Sequence, residues 1–290
     1  MGFRGRARRV AGARIHSVQP RIAMSMNESP TAPPLRRGIY LLPNLLTTGG
    51  LMAGYYAIVA AIGGRYVAAA VAVFVAGVLD GIDGRVARMT NTQTEFGVQY
   101  DSLADLVSFG VAPSLVMFTW SLSTLKTMGP AFGKIGWAVA FLYAACAALR
   151  LARFNTQIGS QDKRYFQGLA SPAAAGLMMS YVWIANENEF EGHEVAWVSL
   201  AVTLVAALLM VSRVRYPSFK SSEKSDRVPF FAVPLALVVL VAIAIEPAPM
   251  LFGISVLYVA SGLAMTLWGM RRWRSRREVV VAKPEPRQPE

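Results

Sequence analysis

Four aspartates lie close together in a stretch of sequence whose other residues are mostly apolar or small. Asp80 and Asp83 are three residues apart, and Asp101 and Asp105 are four residues apart. Residues at these spacings lie on one face of an α-helix, so each pair forms an acidic stripe. Two antiparallel helices joined by the polar turn at 90–94 would bring the stripes face to face. The spacing therefore predicts one pocket that holds four carboxyl groups.

Four carboxylates in a partly dehydrated pocket repel one another unless a cation lies between them. Ligands that are all oxygen suit Mg²⁺ or Mn²⁺ better than zinc. The chain has one cysteine, Cys146, and two histidines, His16 and His193, which argues against a zinc site or a histidine-rich site. We therefore expect two divalent cations, Mg²⁺ or Mn²⁺, between the aspartates.

Glycines accompany the acidic stripes. Gly81, Gly84 and Gly97 would each weaken a helix, a cost that is accepted where a backbone or a ligand must approach closely. We interpret these three positions as room for a substrate beside the carboxylates.

Two other interpretations of the aspartates remain. They could form ion pairs with Arg85 and Arg88 at a membrane surface, which fits one or two aspartates better than four on facing stripes. They could instead line the ion pathway of a transporter, which predicts acids near the membrane midplane in several helices. The observed acids cluster at one end of two helices, so a transporter is the less favoured alternative.

The composition shows which elements must position these residues. Of the 290 residues, 54% are hydrophobic and only 16% are charged, whereas soluble domains carry about 25% charged residues. A membrane-spanning helix needs about 20 mostly apolar residues. Eight stretches meet this requirement approximately, at 43–63, 66–86, 98–121, 133–154, 171–186, 195–212, 230–246 and 249–270. The sequence predicts an all-α integral membrane protein with about eight transmembrane helices.

The positive charges give an orientation. With eight spans and a cytoplasmic N-terminus, all but three of the 29 lysines and arginines fall in cytoplasmic segments, the exceptions being Arg65, Lys126 and Lys134. This asymmetry follows the positive-inside rule. The net charge of +12 is therefore a sign of topology and of contact with anionic membrane lipids, and we expect no nucleic-acid partner.

Three segments follow from this pattern. Residues 1–40 are expected to form a basic cytoplasmic tail, 41–270 a transmembrane catalytic domain, and 271–290 a charged cytoplasmic tail. The tail from about Arg271 ends in a proline-rich sequence and is expected to be disordered. The first 27 residues contain six arginines and no acid, as organelle transit peptides also do, but a disordered basic tail is the favoured interpretation.

Nine positions of the acidic segment resemble the signature of the CDP-alcohol phosphatidyltransferases, which reads D-G-x-D-G-x-x-A-R, eight residues, G-x-x-x-D-x-x-x-D. The matching residues are Asp80, Gly81, Asp83, Gly84, Ala87, Arg88, Gly97, Asp101 and Asp105. The resemblance implies a membrane enzyme with a six-helix core, here followed by two C-terminal helices. It also implies a homodimer, two metals held by the four aspartates, and transfer of a phosphatidyl group from a CDP-linked lipid to an alcohol with release of CMP.

Further runs are similar to the bacterial phosphatidylserine synthases of this family, at 42–58, 101–114, 148–155 and 165–176. The similarity implies CDP-diacylglycerol and L-serine as substrates, and a bacterial inner membrane with the active site facing the cytoplasm. One departure is Ala170, where those enzymes usually have proline. Glycerol 3-phosphate, choline and inositol phosphate remain alternative acceptors.

The resemblance also implies roles for single residues. The four aspartates would hold the metals, and Asp105, at the inner end of its stripe, is our choice for the general base. CDP-lipid would bind at Gly81, Gly84, Ala87, Arg88 and Gly97.

A serine acceptor adds a requirement of its own, because its carboxylate must meet fixed positive charge near four aspartates. Arg150, Arg153 and Asn155, at the end of the fourth span, and Ser108, one turn beyond Asp105, are the candidates. The alternatives are that the arginines bind the diphosphate or only anchor the chain at the cytoplasmic surface, and that Ser108 packs helices.

Overall fold

The structure is a computed structural model of the single chain. It describes residues 41–90, 92, 94–156, 165–212, 214–217 and 231–281. The predicted basic tail at 1–40 and the end of the C-terminal tail at 282–290 lie outside the described residues.

The described chain is built almost entirely from helices. They are α1 Leu41–Ile62, α2 Tyr66–Met89, α3 Glu95–Asp105, α4 Ala112–Trp120, α5 Pro130–Thr156, α6 Ser171–Glu187, α7 Ala196–Val211, α8 Ala232–Ile245 and α9 Pro247–Val281. A π-helical turn, Leu106–Val111, joins α3 to α4, and a 3₁₀ segment, Leu122–Met128, precedes α5. Strands β1, Tyr165–Gln167, and β2, Arg215–Pro217, pair antiparallel with Phe166 opposite Tyr216.

Five of these helical stretches are long and apolar enough to cross a membrane. They are Leu41–Ile62, Tyr66–Met89, Glu95–Met128, Pro130–Thr156 and Pro247–Thr266, and α7 and α8 are shorter apolar helices. All eight predicted spans coincide with helices of the described chain, six of them before residue 212 and two after residue 231. The prediction of an all-α, multi-pass membrane protein is confirmed.

The last helix is longer than expected. α9 continues to Val281, beyond the predicted boundary at residue 270, so the expectation of disorder is wrong for 271–281. The physical reason lies in the sequence, since no proline occurs between Pro249 and Pro284 and arginine is a good helix former. Charge alone therefore did not end the helix.

Small side chains hold the first helices together. α1 packs along α2 through fully buried alanines, among them Ala57, Ala60, Ala69 and Ala70. Small residues let helix backbones approach closely, which is how helices associate where lipid removes the usual hydrophobic driving force. α8, by contrast, has no buried residue and presents apolar side chains all round, as expected of a helix facing lipid.

Candidate active site

The turn between α2 and α3 is fixed by backbone hydrogen bonds and a helix cap. The N–H of Thr92 donates to the carbonyl of Ala87 at 3.1 Å. Thr94 caps α3, since its hydroxyl accepts a hydrogen bond of 3.0 Å from the N–H of Gly97. α1 packs against both α2 and α3. The acidic site is therefore framed by three helices, of which the sequence pattern had identified two.

The structure places all four aspartates around one small cavity. Its volume is about 10 Å³, room for about one water-sized sphere. The cavity is lined by Thr47, Gly50, Ala76, Asp80, Asp83, Asp101, Ala104, Asp105, Ser108 and Phe109. Within it, Asp80, Asp101 and Asp105 each offer a carboxylate oxygen within 4.8 Å of the other two.

Asp83 stands slightly apart from this group of three. It is the most buried of the four, with 4% of its surface exposed. Its Oδ2 accepts a hydrogen bond of 2.8 Å from the hydroxyl of Thr47 on α1. This donor stabilises a buried carboxylate that would otherwise be costly.

The donor set suits a hard divalent cation. Oxygens bound to Mg²⁺ or Mn²⁺ lie about 2 Å from the ion and hence up to about 4 Å from one another. The three clustered carboxylates meet this requirement after small side-chain adjustments. No histidine or cysteine of the described residues joins the cluster, so its ligands are oxygen only. The residues present therefore fit the predicted kind of metal.

The glycines have different surroundings. A β-carbon placed on Gly81 or Gly84 would meet no atom within 4 Å, and both residues are exposed on α2. At Gly97 a β-carbon would lie 3.1 Å from the Thr94 hydroxyl and 3.5 Å from Oδ1 of Asn44 on α1. Gly81 and Gly84 thus leave an open backbone surface beside the carboxylates. At position 97 a larger residue would instead crowd the capping hydroxyl of Thr94 and the side chain of Asn44 on α1.

The other two signature residues lie at the end of α2. Ala87 is partly buried and its carbonyl takes part in the turn to α3. Arg88 is exposed in the last helical turn, one turn beyond Gly84.

A π-helical turn begins directly after Asp105. Such turns interrupt the regular hydrogen-bond ladder and occur frequently at functional sites. Here Tyr143 of α5 donates a hydrogen bond of 3.0 Å to the carbonyl of Phe109, and Ser108 donates one of 3.1 Å to the carbonyl of Gly50 on α1. Ser108 therefore lines the acidic cavity and packs helices at the same time.

Two more of the predicted acceptor residues, Arg150 and Asn155, interact with an aspartate or with the residue next to one. Arg150 of α5 is partly buried, donates a hydrogen bond of 2.8 Å from Nη1 to the hydroxyl of Ser171, and interacts electrostatically with Asp105 and Tyr258. Asn155 donates a hydrogen bond of 3.0 Å from Nδ2 to Ser102, the neighbour of Asp101.

Arg153, the remaining predicted acceptor residue, is partly exposed in the last turn of α5. Sequence reasoning missed Thr47, Ser102, Ser171 and Tyr258 as neighbours of the site. The one local signal was the Thr47–Thr48 pair in an otherwise apolar helix.

Comparisons with known proteins relate this chain to a family. The model of the family described as CDP-alcohol phosphatidyltransferase matches residues 40–212, which span α1 to α7. The CDP-diacylglycerol–serine O-phosphatidyltransferase of Helicobacter pylori (strain ATCC 700392 / 26695) is 36% identical over 235 residues, covering 81% of this chain and 92% of that protein.

More distant relatives carry related names. The CDP-diacylglycerol–serine O-phosphatidyltransferase of Mycobacterium tuberculosis (strain CDC 1551 / Oshkosh) is 36% identical over 74% of each chain. The archaetidylserine synthase of Methanothermobacter thermautotrophicus is 33% identical over 61% of this chain and 69% of that protein. With the family match covering more than half of its length, this chain belongs to the CDP-alcohol phosphatidyltransferase family.

Proposed function

We propose that the chain transfers the phosphatidyl group of CDP-diacylglycerol to the hydroxyl of L-serine, giving phosphatidylserine and CMP. The observation that carries the proposal is the meeting of four aspartates on one cavity. The two substrates follow from the names of the relatives, which cover most of the chain at 32–37% identity.

The aspartates are proposed to hold two divalent cations, Mg²⁺ or Mn²⁺. When bound, such a pair would neutralise the diphosphate of the lipid donor and stabilise the departing CMP. Asp80, Asp101 and Asp105 supply the clustered oxygens, and Asp83 supplies a fourth carboxylate on the same cavity.

The nucleotide end of the donor is proposed to lie along the open face of α2. Gly81 and Gly84 leave the backbone uncovered there, so a ribose or a phosphate can approach it closely. Ala87 extends this surface of small residues by one turn, and Arg88 supplies a positive charge for a phosphate. Gly97 contributes indirectly, because its small size lets the start of α3 approach α1.

Asp105 is proposed to act as the general base. It would accept the proton of the serine hydroxyl while the oxygen forms a bond to the lipid-bearing phosphorus and the bond from that phosphorus to CMP breaks. Its position supports this role, since Asp105 belongs to the carboxylate cluster and also interacts electrostatically with Arg150. A base must lie within reach of the hydroxyl it deprotonates.

Arg150 is proposed to bind the serine carboxylate. A guanidinium can hold a carboxylate through two parallel hydrogen bonds, and the bond to Ser171 fixes the direction of this side chain. Because Arg150 interacts electrostatically with Asp105, an acceptor held by its carboxylate on Arg150 would bring its hydroxyl towards the base. Asn155 and Ser108 would border the same space, and Arg153 would add positive charge at its entrance.

The enzyme is proposed to lie in a bacterial inner membrane with this site facing the cytoplasm. Asp80 and Asp83 lie in the same half of α2 as Arg85 and Arg88, near its C-terminal end. Arg65 and Lys126 lie at the opposite ends of the neighbouring spans, as the positive-inside rule requires of this orientation. On this proposal residues 41–270 form the catalytic membrane domain between two charged cytoplasmic tails.

The homodimer that the family resemblance implies stays a prediction.

The deciding experiment is CMP release by the purified protein in detergent or nanodiscs. The assay contains CDP-diacylglycerol, Mg²⁺ or Mn²⁺, and one labelled acceptor at a time. We expect incorporation of serine and none of glycerol 3-phosphate, choline or inositol phosphate. Incorporation of another acceptor would replace serine in the proposal, and cation flux through vesicles without CMP release would favour a transporter.

A further inference from the structure

We propose that Thr47 of α1 is a positioning residue for Asp83, holding this carboxylate in the orientation in which it joins the other three aspartates around a divalent cation. The inference rests on the proposed function for the presence of the cation. The hydrogen bond between Thr47 and Asp83 does not depend on the proposed function.

The contact is short and enclosed. The Thr47 hydroxyl oxygen lies 2.8 Å from Oδ2 of Asp83, across the interface between α1 and α2. Only 7% of Thr47 and 4% of Asp83 is exposed. Both residues line the cavity that Asp80, Asp101 and Asp105 also line. Water therefore competes poorly for this hydrogen bond.

The direction of the hydrogen bond follows from chemistry. An ionised carboxylate only accepts, so Thr47 is the donor in its contact with Asp83. The same hydroxyl also lies 3.0 Å from the carbonyl of Pro43, one turn earlier in α1. The shorter bond to a charged acceptor is the stronger of the two, by roughly a factor of two. A threonine in a helix has few side-chain rotamers, so the donor is held in place.

This bond distinguishes Asp83 from its neighbours. Asp80, Asp101 and Asp105 lie within 4.8 Å of one another, and Asp83 lies outside that set. With Oδ2 held by Thr47, rotation of the Asp83 carboxylate is restricted, and its remaining acceptor capacity is available to the cavity. Groups that orient metal ligands in this way typically change metal affinity by 10- to 100-fold when removed.

The test compares Thr47→Val, which keeps the shape and loses the hydroxyl, with Thr47→Ser, which keeps the hydroxyl. Binding of Mn²⁺ to the purified full-length protein is measured by electron paramagnetic resonance, with no lipid or nucleotide present. We expect Thr47→Val to weaken Mn²⁺ binding by 10- to 100-fold and Thr47→Ser to bind within about threefold of the wild type.

Thr48→Val is the matched control. Thr48 neighbours Thr47 on the same helix and hydrogen bonds to the carbonyl of Asn44 and to the hydroxyl of Tyr100, so the same substitution removes a bond that involves no carboxylate. We expect Mn²⁺ binding by this variant to equal that of the wild type.

A double-mutant cycle guards against loss of folding as the explanation. If Thr47 acts through Asp83, Thr47→Val has no further effect on Mn²⁺ binding in an Asp83→Asn background. Additive losses, wild-type binding by Thr47→Val, or equal losses in Thr47→Val and Thr48→Val would each overturn the inference. A different outcome would contradict the proposed function alone. In it, the wild type binds Mn²⁺, Thr47→Val binds it more weakly as expected, and the wild type nevertheless forms no phosphatidylserine.

Discussion

Gly54 of α1 lies directly against Ser108 of the π-helical turn. A β-carbon at position 54 would come within 2.8 Å of Cα and 2.9 Å of Cβ of Ser108. Ser108 also donates a hydrogen bond to Gly50, one turn earlier on α1. α1 therefore contacts the turn that follows Asp105 through two glycines, and this approach sets the width of the acidic cavity.

Gly54→Ala should destabilise the protein, because part of the contact is with backbone that cannot rotate away. We expect a loss of about 1–3 kcal/mol, the usual cost of overpacking, measured as a lower unfolding midpoint in detergent. Gly84→Ala is the control, since a β-carbon there meets no atom within 4 Å. It should keep or raise the midpoint, because alanine favours a helix more than glycine does, and it should raise KM for CDP-diacylglycerol. Equal midpoints for the two variants would contradict the packing at Gly54.

Asp105→Asn should abolish phosphatidylserine formation while binding of the CDP-lipid largely survives. An amide cannot accept the proton of the serine hydroxyl, and loss of a general base costs about 100- to 10,000-fold in rate. Turnover is measured as CMP release, and donor binding by competition with a labelled CDP-lipid. Near-normal turnover in this variant would remove Asp105 as the base.

The arrangement of spans could be predicted from the sequence because apolar length and charge asymmetry are strong signals. Each predicted span has its helix in the described chain, and the acidic stripes of α2 and α3 lie on one cavity as their spacing predicted. Helix periodicity fixes which residues of one helix share a face. It carries no information on which third helix covers that face.

The parts that escaped prediction are therefore contacts between distant segments. Thr47 lies 36 residues before Asp83, and Ser171 lies 21 residues after Arg150. The π-helical turn after Asp105 was also missed, because its sequence of apolar and small residues is compatible with an ordinary helix. The close approach of Gly97 to the Thr94 hydroxyl and to Asn44 of α1 was missed as well.

Arg150→Lys should impair use of serine more than use of the lipid donor. Lysine keeps the charge but cannot form two parallel hydrogen bonds to a carboxylate, so KM for L-serine should rise by about tenfold or more. The apparent KM for CDP-diacylglycerol should change little. Arg65→Lys is the control, because Arg65 lies over the ring of Tyr56 at the far end of α1. A change confined to the KM of the lipid donor would assign Arg150 to the diphosphate instead.

Ala170→Pro should be tolerated despite its position between β1 and α6. Ala170 has φ −62° and ψ 138°, values that proline adopts without strain. Proline at a compatible position stabilises by about 0.4–1 kcal/mol by restricting the unfolded chain. The unfolding midpoint should be equal or higher and serine incorporation unchanged. A lower midpoint would mean that the proline ring disturbs the preceding segment.

Divalent cations should stabilise the folded protein through the carboxylate cluster. The oxygens of Asp80, Asp101 and Asp105 lie within 4.8 Å of one another, so their negative charges repel and a bound cation relieves that repulsion. At a concentration 100 times the dissociation constant, binding contributes about 2.7 kcal/mol. The unfolding midpoint should rise by several degrees between EDTA and saturating Mg²⁺, with ionic strength held constant.

The Asp101→Asn variant shows whether this effect comes from the cluster. It removes one negative charge, so in EDTA we expect it to be at least as stable as the wild type, since like charges no longer oppose one another there. On addition of Mg²⁺ its unfolding midpoint should rise much less than that of the wild type, because a ligand of the cation has been lost. The order of stability should therefore reverse between the two conditions. A Mg²⁺-induced shift of the same size in both proteins would mean that the cation binds elsewhere, and the carboxylate cluster would lose its proposed role.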